Sequence, residues 1–470
     1  MVNYGFVIDN RKCIGCHACT VACKSEHDVP IGVNRTHVKY IEKGTYPDVT
    51  REFSVHRCNH CEDSPCTTIC PTTALFTRED GIVDFDDDRC IGCKSCMQAC
   101  PYDALYIDPN KGTAAKCNYC AHRIEHSYEP SCVVVCPVEA IISGDLDDPN
   151  SSISGYLNEH ETIVRKPESG AKPNVFYVET SEDSLDPHAT ERSGEYLWTD
   201  QAAGVGHFAK YAEQRSGAAD THSMIVQLAL EKKAKAAAPR DRAIIHDVMS
   251  RLEEEAGKPK RLYDQPSKGV LWGWEVSAYV VTKAIATGTY MLAMALMLSG
   301  MLEMTDGMWW RLVIGCTAFL GLTGVLLILD LDRPERFVYV MLRPNWDSWL
   351  VKGAYLLGGF GGVLACSGAV LLFGLDRIYL EYLAYAGVPL ALLTGVYTAW
   401  LLKQARGRSW SEDGLLEAKM IFEMVVVGVG GVFLMASPGI LSMLVFAILM
   451  AVVASHAHGT VIKPQLETLH

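Results

Sequence analysis

Cys90-Ile91-Gly92-Cys93-Lys94-Ser95-Cys96-Met97-Gln98-Ala99-Cys100-Pro101 is the stretch on which the reading of this chain turns. Its C-x2-C-x2-C-x3-C-P spacing is that of thiolates ligating [4Fe–4S] cubanes. The opening C-x2-C and closing C-x3-C recur at Cys13/Cys16/Cys19/Cys23, Cys58/Cys61/Cys66/Cys70 and Cys117/Cys120/Cys132/Cys136. Pro71 and Pro137 follow two of these groups as Pro101 follows the one quoted. Sixteen of eighteen cysteines thus fall into four groups of four within the first 136 residues. Sixteen ligands make four clusters with none left over, and such a chain moves electrons.

Two ordinary readings compete and fail. A disulfide framework belongs to short secreted chains. This chain has 470 residues and opens Met1-Val2-Asn3-Tyr4-Gly5-Phe6, with no basic n-region, apolar h-region or twin arginine. Zinc sites use two cysteine pairs, often with histidine, and do not need the C-x3-C-P ending. His17, His56 and His60 lie beside these cysteines. No group lacks a thiolate, so the histidines are read as packing or hydrogen-bonding neighbours.

In two-cluster ferredoxins the fourth cysteine of each motif ligates the other motif's cluster. Groups two and three repeat at a ferredoxin-like interval, which puts Cys58, Cys61, Cys66 and Cys100 on one cubane. Cys70, Cys90, Cys93 and Cys96 then hold the next. Groups one and four close around them: Cys13, Cys16 and Cys19 with Cys136, and Cys23 with Cys117, Cys120 and Cys132. Spacing alone also allows one with two and three with four. The stretches 82–85 and 104–107 read as short strands, so 1–180 is expected to be an α+β, double-ferredoxin-like iron–sulfur domain.

The mean hydropathy of +0.10 averages two unlike halves. Beyond Val270 come six apolar runs near the ~20 residues that span a bilayer, at 271–302, 309–331, 349–374, 379–402, 416–436 and 439–457. Tryptophans such as Trp272, Trp274, Trp309, Trp310 and Trp349 lie near their ends, as in an aromatic belt. Residues 269–470 are therefore expected to form an all-α transmembrane bundle of about six spans. A re-entrant pair would also fit the last two, which only Ser437-Pro438-Gly439 separates. Twelve Lys and Arg residues flank one end of the spans, including Lys258, Arg333, Arg336 and Arg408, against Arg311 and Arg377 at the other. This positive-inside bias puts the N-terminal domain in the cytoplasm, on the inner face of a multi-pass membrane protein. The net charge of −13 carries no sign of nucleic-acid binding. Between the halves, 181–268 reads as a polar, partly helical linker or a segment that drapes over a partner.

Residues 1–180 resemble the four-cluster electron-transfer subunits of molybdopterin oxidoreductases of the polysulfide/dimethyl-sulfoxide reductase type. The likeness rests on Val7–Cys19, Cys58-Asn-His-Cys-Glu-Asp-Ser-Pro-Cys66, Lys116–Arg123, Gly144–Asn150 and Val164-Arg-Lys-Pro167. It implies the nested cluster pairing, a group-one cubane facing a catalytic subunit and a group-three cubane nearest the membrane. Some relatives carry an aromatic residue in group three and a [3Fe–4S] centre; Cys93 stands here, so four cubanes are expected. The second half is similar to the NrfD/polysulfide-reductase anchor, a quinone-reactive subunit, through 329–337, 348–355 and 387–397. That family usually has eight or more spans and its own chain, so no quinone-site residue is carried over by position.

Quinone reduction consumes two electrons and two protons, and titratable groups inside a membrane are functional candidates by default. Glu275, Tyr279, Lys283 and Thr287 recur every fourth residue on one face of span one. Glu423 lies deep in span five as a proton-relay carboxylate. Against this, Glu275 and Lys283 also fit an ion-paired bundle contact, and Asp330, Asp332, Arg333 and Arg336 a charge cluster fixing a helix end. His456 and His458 are the histidines of the spans and share one helix, so no haem is expected. The expectation is a subunit joining a molybdopterin-type catalytic partner to ubiquinone or menaquinone, with room for additional small membrane subunits. A redox-driven proton translocator, or an iron–sulfur scaffold without its own quinone site, are the rivals.

Overall fold

Tyr4–Asp9, almost wholly buried, becomes β1, the centre of the N-terminal sheet in a computed structural model that describes residues 2–45, 47–185, 259–264, 268 and 270–467. The remaining strands are β2 (Thr36–Thr45), β3 (Asp48–Arg57), β4 (Leu75–Thr77), β5 (Val83–Phe85), β6 (Tyr106–Asp108), β7 (Thr113–Ala115), β8 (Ile141–Asp145), β9 (Thr162–Ile163), β10 (Val175–Val178) and β11 (Lys260–Tyr263). One sheet has the order β8-β1-β10-β9, with β1 antiparallel to β8 and parallel to β10. A second, β11-β2-β3, is built on a long hairpin in which Thr36 faces Arg57. Two small hairpins, β4/β5 and β6/β7, contain the strands expected after groups two and three.

Short helices carry the third cysteine of each group: Cys19 in Ala18–Glu26, Cys66 in Pro65–Ile69, Cys96 in Ser95–Ala99 and Cys132 in Ser131–Val134. The fourth cysteine falls in the first helix and at or just past the end of the others, which is why the C-x3-C spacing recurs.

Six long apolar helices follow: α1 (Trp274–Leu298), α2 (Asp306–Leu329), α3 (Trp349–Leu372), α4 (Ile378–Gln404), α5 (Leu416–Ala436) and α6 (Ile440–Glu467). The protein is a multi-pass membrane protein. The Ser437–Gly439 turn separates two full-length helices rather than a re-entrant pair. α1 is the most enclosed and packs on α2, α4, α5 and α6. Its contact with α5 is backbone-close: a Cβ on Gly288 would stand 2.1 Å from the Met424 carbonyl oxygen, and one on Gly428 2.6 Å from that of Gly288. Gly353 of α3 likewise leaves the space that the Tyr397 ring fills.

Two boundaries differ from the sequence reading. α6 continues ten residues beyond 457, through Lys463 and Pro464, because its last turns pack on the N-terminal domain and not on lipid. Most of 181–268, including its expected helical part (228–238, then 244–255), lies outside the described residues. Its described end, Lys260–Tyr263, is a strand paired to β2.

Candidate electron path and membrane cavity

The four cysteine loops share one backbone device. The residue before the second cysteine is left-handed in each: Gly15 (φ 70), His60 (φ 43), Gly92 (φ 69) and Tyr119 (φ 59). That turn aims its N–H at the sulfur of the first cysteine of the same loop, Cys13, Cys58, Cys90 and Cys117 respectively. Further amides reach sulfur at Ala114 N to Cys90 (3.3 Å), Ala140 N to Cys136 (3.3 Å) and Ala104 N to Cys100 (3.5 Å). Hydrogen bonds of this kind stabilise electron-rich sulfur and tune a cluster's potential.

The thiols lie within electrostatic reach of one another in a repeating pattern. Cys13 feels Cys136 and Cys16, while Cys23 feels Cys117, Cys120 and Cys132. Cys61 feels Cys58, Cys66 and Cys100; Cys96 feels Cys93, Cys90 and Cys70. Contacts between groups run in file, through Cys19 with Cys132, Cys117 with Cys58, and Cys66 with Cys70. Among the described residues no three His, Cys, Asp or Glu side chains close to the spacing of a single ion. Each set of four mutually interacting thiols offers one thiolate to each iron of a cubane.

Buried thiolates are costly without compensation. Burial pushes the Cys19, Cys93 and Cys120 thiols up to about 12. Cations stand at the junctions of the file. Arg57, buried, donates to Cys132 Sγ at 3.1 Å and lies within reach of Cys117 and Cys19. Lys116, wholly buried, acts on Cys58 and Cys117. His27 Nε2 sits 3.2 Å from Cys120 Sγ, and burial, with Arg35 and His122, pushes its imidazole down to about 4, so it is neutral near pH 7. His60 accepts the Val83 N–H through Nδ1 at 3.2 Å, while His17 packs edge-on to Tyr263.

Group three faces the membrane helices. Trp272 donates its indole N–H to the Cys93 carbonyl at 3.1 Å, and Arg336 donates to the Cys90 carbonyl at 3.1 Å. Lys94 reaches the Asp330 carbonyl (3.0 Å) and the Asp332 carboxylate (3.3 Å). Gln98 bonds Gln465 of α6 at 2.6 Å and accepts from Arg408 at 2.7 Å. Asp332, Arg333 and Arg336 are therefore docking residues, a role that reading them as a helix-end charge cluster misses. Arg333 completes the contact by donating to the Lys111 carbonyl at 2.6 Å.

Behind Cys93 opens a largely apolar cavity of about 320 Å³, walled by Cys93, Trp272, Tyr279, Asp330, Tyr397 and Leu401 among others. Of the four candidates from sequence, Tyr279 lines this cavity. Lys283, one turn deeper, bonds Thr398 Oγ1 and stands 4.4 Å from the Tyr397 ring centroid. Thr398 also neighbours the side chains of Tyr279 and Tyr397. Glu275 sits in the first turn of α1 near Asp330. Among the described contacts of Lys283, the charge it meets is that of Glu423, not Glu275. Glu423, 3% exposed, bonds His456 Nδ1 at 2.6 Å. Sequence alone does not single out Tyr397, Thr398, Trp272 and His456 for this site. His456 reads in sequence solely as a haem candidate.

Comparison with known proteins finds both halves. The family model of the 4Fe–4S dicluster domain matches residues 49–146, and that of polysulphide reductase, NrfD, matches residues 264–438. A tetrathionate reductase subunit of Salmonella typhimurium is 45% identical over 179 residues, 37% of this chain and 72% of the relative. A polysulfide reductase chain of Wolinella succinogenes is 43% identical over 178 residues, covering 37% and 93%. The arsenate respiratory reductase iron–sulfur subunit of a Shewanella species is 35% identical over 222 residues, covering 37% and 95%.

Proposed function

We propose, since this protein belongs to the iron–sulfur subunit family of polysulfide and tetrathionate reductases and carries an NrfD membrane domain, that it passes electrons between a molybdopterin-type catalytic partner and membrane quinone. Four [4Fe–4S] clusters, when bound, supply one-electron steps in file. Cys13, Cys16, Cys19 and Cys136 would hold the first; Cys23, Cys117, Cys120 and Cys132 the second. Cys58, Cys61, Cys66 and Cys100 would hold the third, and Cys70, Cys90, Cys93 and Cys96 the fourth. The observation that carries this reading is the contiguous file of sixteen thiols, which ends with Cys93 in the wall of the membrane cavity.

The protein's own residues do three things in this reading. Left-handed loop residues hold amides on the sulfurs; Arg57 and Lys116 offset buried negative charge between neighbouring groups; Trp272 pins the last group to the cavity. A flat apolar ring fits between Tyr279 and Tyr397, with hydroxyls in reach for its oxygens. The charge of the Lys- and Arg-bearing loops supports a cytoplasmic, inner-membrane face for the iron–sulfur domain.

The test is reoxidation of the pre-reduced, cluster-loaded full chain by a ubiquinone or menaquinone analogue in liposomes. Reoxidation in the wild type, slowed tenfold or more by Tyr279→Phe with Tyr397→Phe at unchanged iron content, is the expected result. Loaded protein that no quinone analogue oxidises would return the scaffold reading.

A further inference from the structure

A second opening lies on the far side of Lys283 from the cavity. It is a cleft of about 760 Å³ between α5, α6 and the loop before α5, with Asp413, Lys419, Ser455, His456, Thr460 and Lys463 in its lining. Asp413, Lys419, His456 and Lys463 give it titratable and charged groups that water can reach from the helix ends. Its position beside Arg408 and Gln465 puts it at the end of the bundle where the iron–sulfur domain docks. His456, half-exposed, stands in the cleft wall and bonds Glu423, which is nearly sealed from it. Glu423 in turn lies in charge range of Lys283, fully buried on the other helix of the Gly288–Gly428 contact. Lys283 bonds Thr398 and stands 4.4 Å from the ring centroid of Tyr397, which lines the cavity with Tyr279.

We propose that this row is the proton inlet for the cavity: water in the cleft, His456, Glu423, Lys283, Thr398, then Tyr279 or Tyr397. The inference rests on the quinone reading above. A quinone in the cavity takes two electrons from the cysteine-ligated clusters and two protons from the tyrosine end of the row, and leaves as the quinol. Each proton delivered is replaced by one from cleft water, passed inward through His456 and Glu423. A buried carboxylate and a buried ammonium on facing helices are expensive in hydrocarbon, and a relay gives both a use. Charges facing Glu423 are Lys283 from α1 and His456 from α6; those around His456 are Glu423, Asp413 and Lys419 across the cleft, and Lys463 farther along α6 itself. Electrons and protons then enter from the same side of the membrane, so quinone reduction is electroneutral.

The experiment uses the full chain, cluster-loaded and pre-reduced, in liposomes with the iron–sulfur domain outward, and decylubiquinone as probe. Expected are proton uptake from the outer medium, no membrane potential, and a tenfold or greater loss of cluster reoxidation rate in Glu423→Gln and His456→Ala. Cluster content stays unchanged, and added imidazole restores His456→Ala because that side chain is half-exposed. Independently of turnover, an infrared carboxyl band that titrates with pH should vanish in Glu423→Gln and shift in His456→Ala. Uptake from the lumen, or wild-type rates and pH profiles in both variants, would overturn the inlet. A wild type that decylubiquinone does not oxidise would remove the quinone reading beneath it.

Discussion

At the scale of single residues, each cysteine answers for one corner of a cage. Replacing Cys93 by Ser or Trp is expected to leave one iron poorly held and convert the group-three centre to a [3Fe–4S] type. Its signature is a paramagnetic signal in the oxidised protein, with the other three groups intact by iron content. Arg57 offers a different test. Its guanidinium acts on Cys132, Cys117 and Cys19 together, so Arg57→Gln should lower the reduction potentials of the first two clusters, read by redox titration, with little effect on the last two. Asp9 makes the pH case. Burial pushes its carboxyl up, but Arg11 at 2.7 Å and the Tyr156 hydroxyl at 2.5 Å more than offset this and hold it at about 2. A carboxyl depressed in the folded state stabilises above its unfolded value of ~3.9 and loses that contribution as pH falls toward 2. Asp9→Asn should therefore cost about 2 kcal/mol at pH 7, and its melting temperature should converge on that of the wild type as pH drops below about 4. The cysteines were legible in the sequence because four-thiolate ligation imposes a fixed spacing. Thr398 and Tyr397 were not, since hydroxyls in an apolar helix look like packing until their partners on other helices are known.

At the scale of elements, the α1–α5 crossing carries the membrane half. Gly288 and Gly428 meet backbone to backbone, and a side chain at either must separate the helices. Gly288→Leu is expected to destabilise by about 1–3 kcal/mol and to move Glu423 away from Lys283, so quinone-driven reoxidation falls while cluster content holds. Thermal unfolding in detergent beside single-turnover kinetics separates the two effects. The six helices were readable from apolar length alone. The end of α6 was not: Lys463, Pro464 and Gln465 look like a helix stop in lipid, yet Gln465 bonds Gln98 and the amides of Leu271 and Trp272. Hydropathy is blind to a helix end that is solvated by another domain rather than by water.

At the scale of the whole molecule, the two halves share one core in which Cys96 and Met97 pack with Trp272, Val276 and Trp410. Around that apolar patch the docking surface is polar, made by carbonyls of the cysteine loops and by Arg336, Arg408, Asn345 and Gln465. Gln465→Leu or Arg408→Ala should leave every cluster in place and reducible, yet slow the last transfer to quinone, since only the alignment of Cys93 with the cavity is loosened. Loop charges read from the sequence identified which helix ends gather on one side. They could not reveal that Arg333 and Arg336 grip the iron–sulfur domain, because their acceptors there are main-chain carbonyls that carry no side-chain signature.

The pairing of β11 with β2 has a mechanical consequence. Tyr263 is stitched into the N-terminal sheet, and α1 begins at Trp274, so the covalent chain of ten residues between them limits their separation to about 35 Å. A domain on so short a leash cannot diffuse away when its docking bonds break; it is confined near the cavity at millimolar effective concentration and recaptured at once. Electron delivery should accordingly be indifferent to dilution: diluting the detergent-solubilised protein a hundredfold should leave the first-order rate of cluster reoxidation unchanged, where a detachable carrier would slow in proportion.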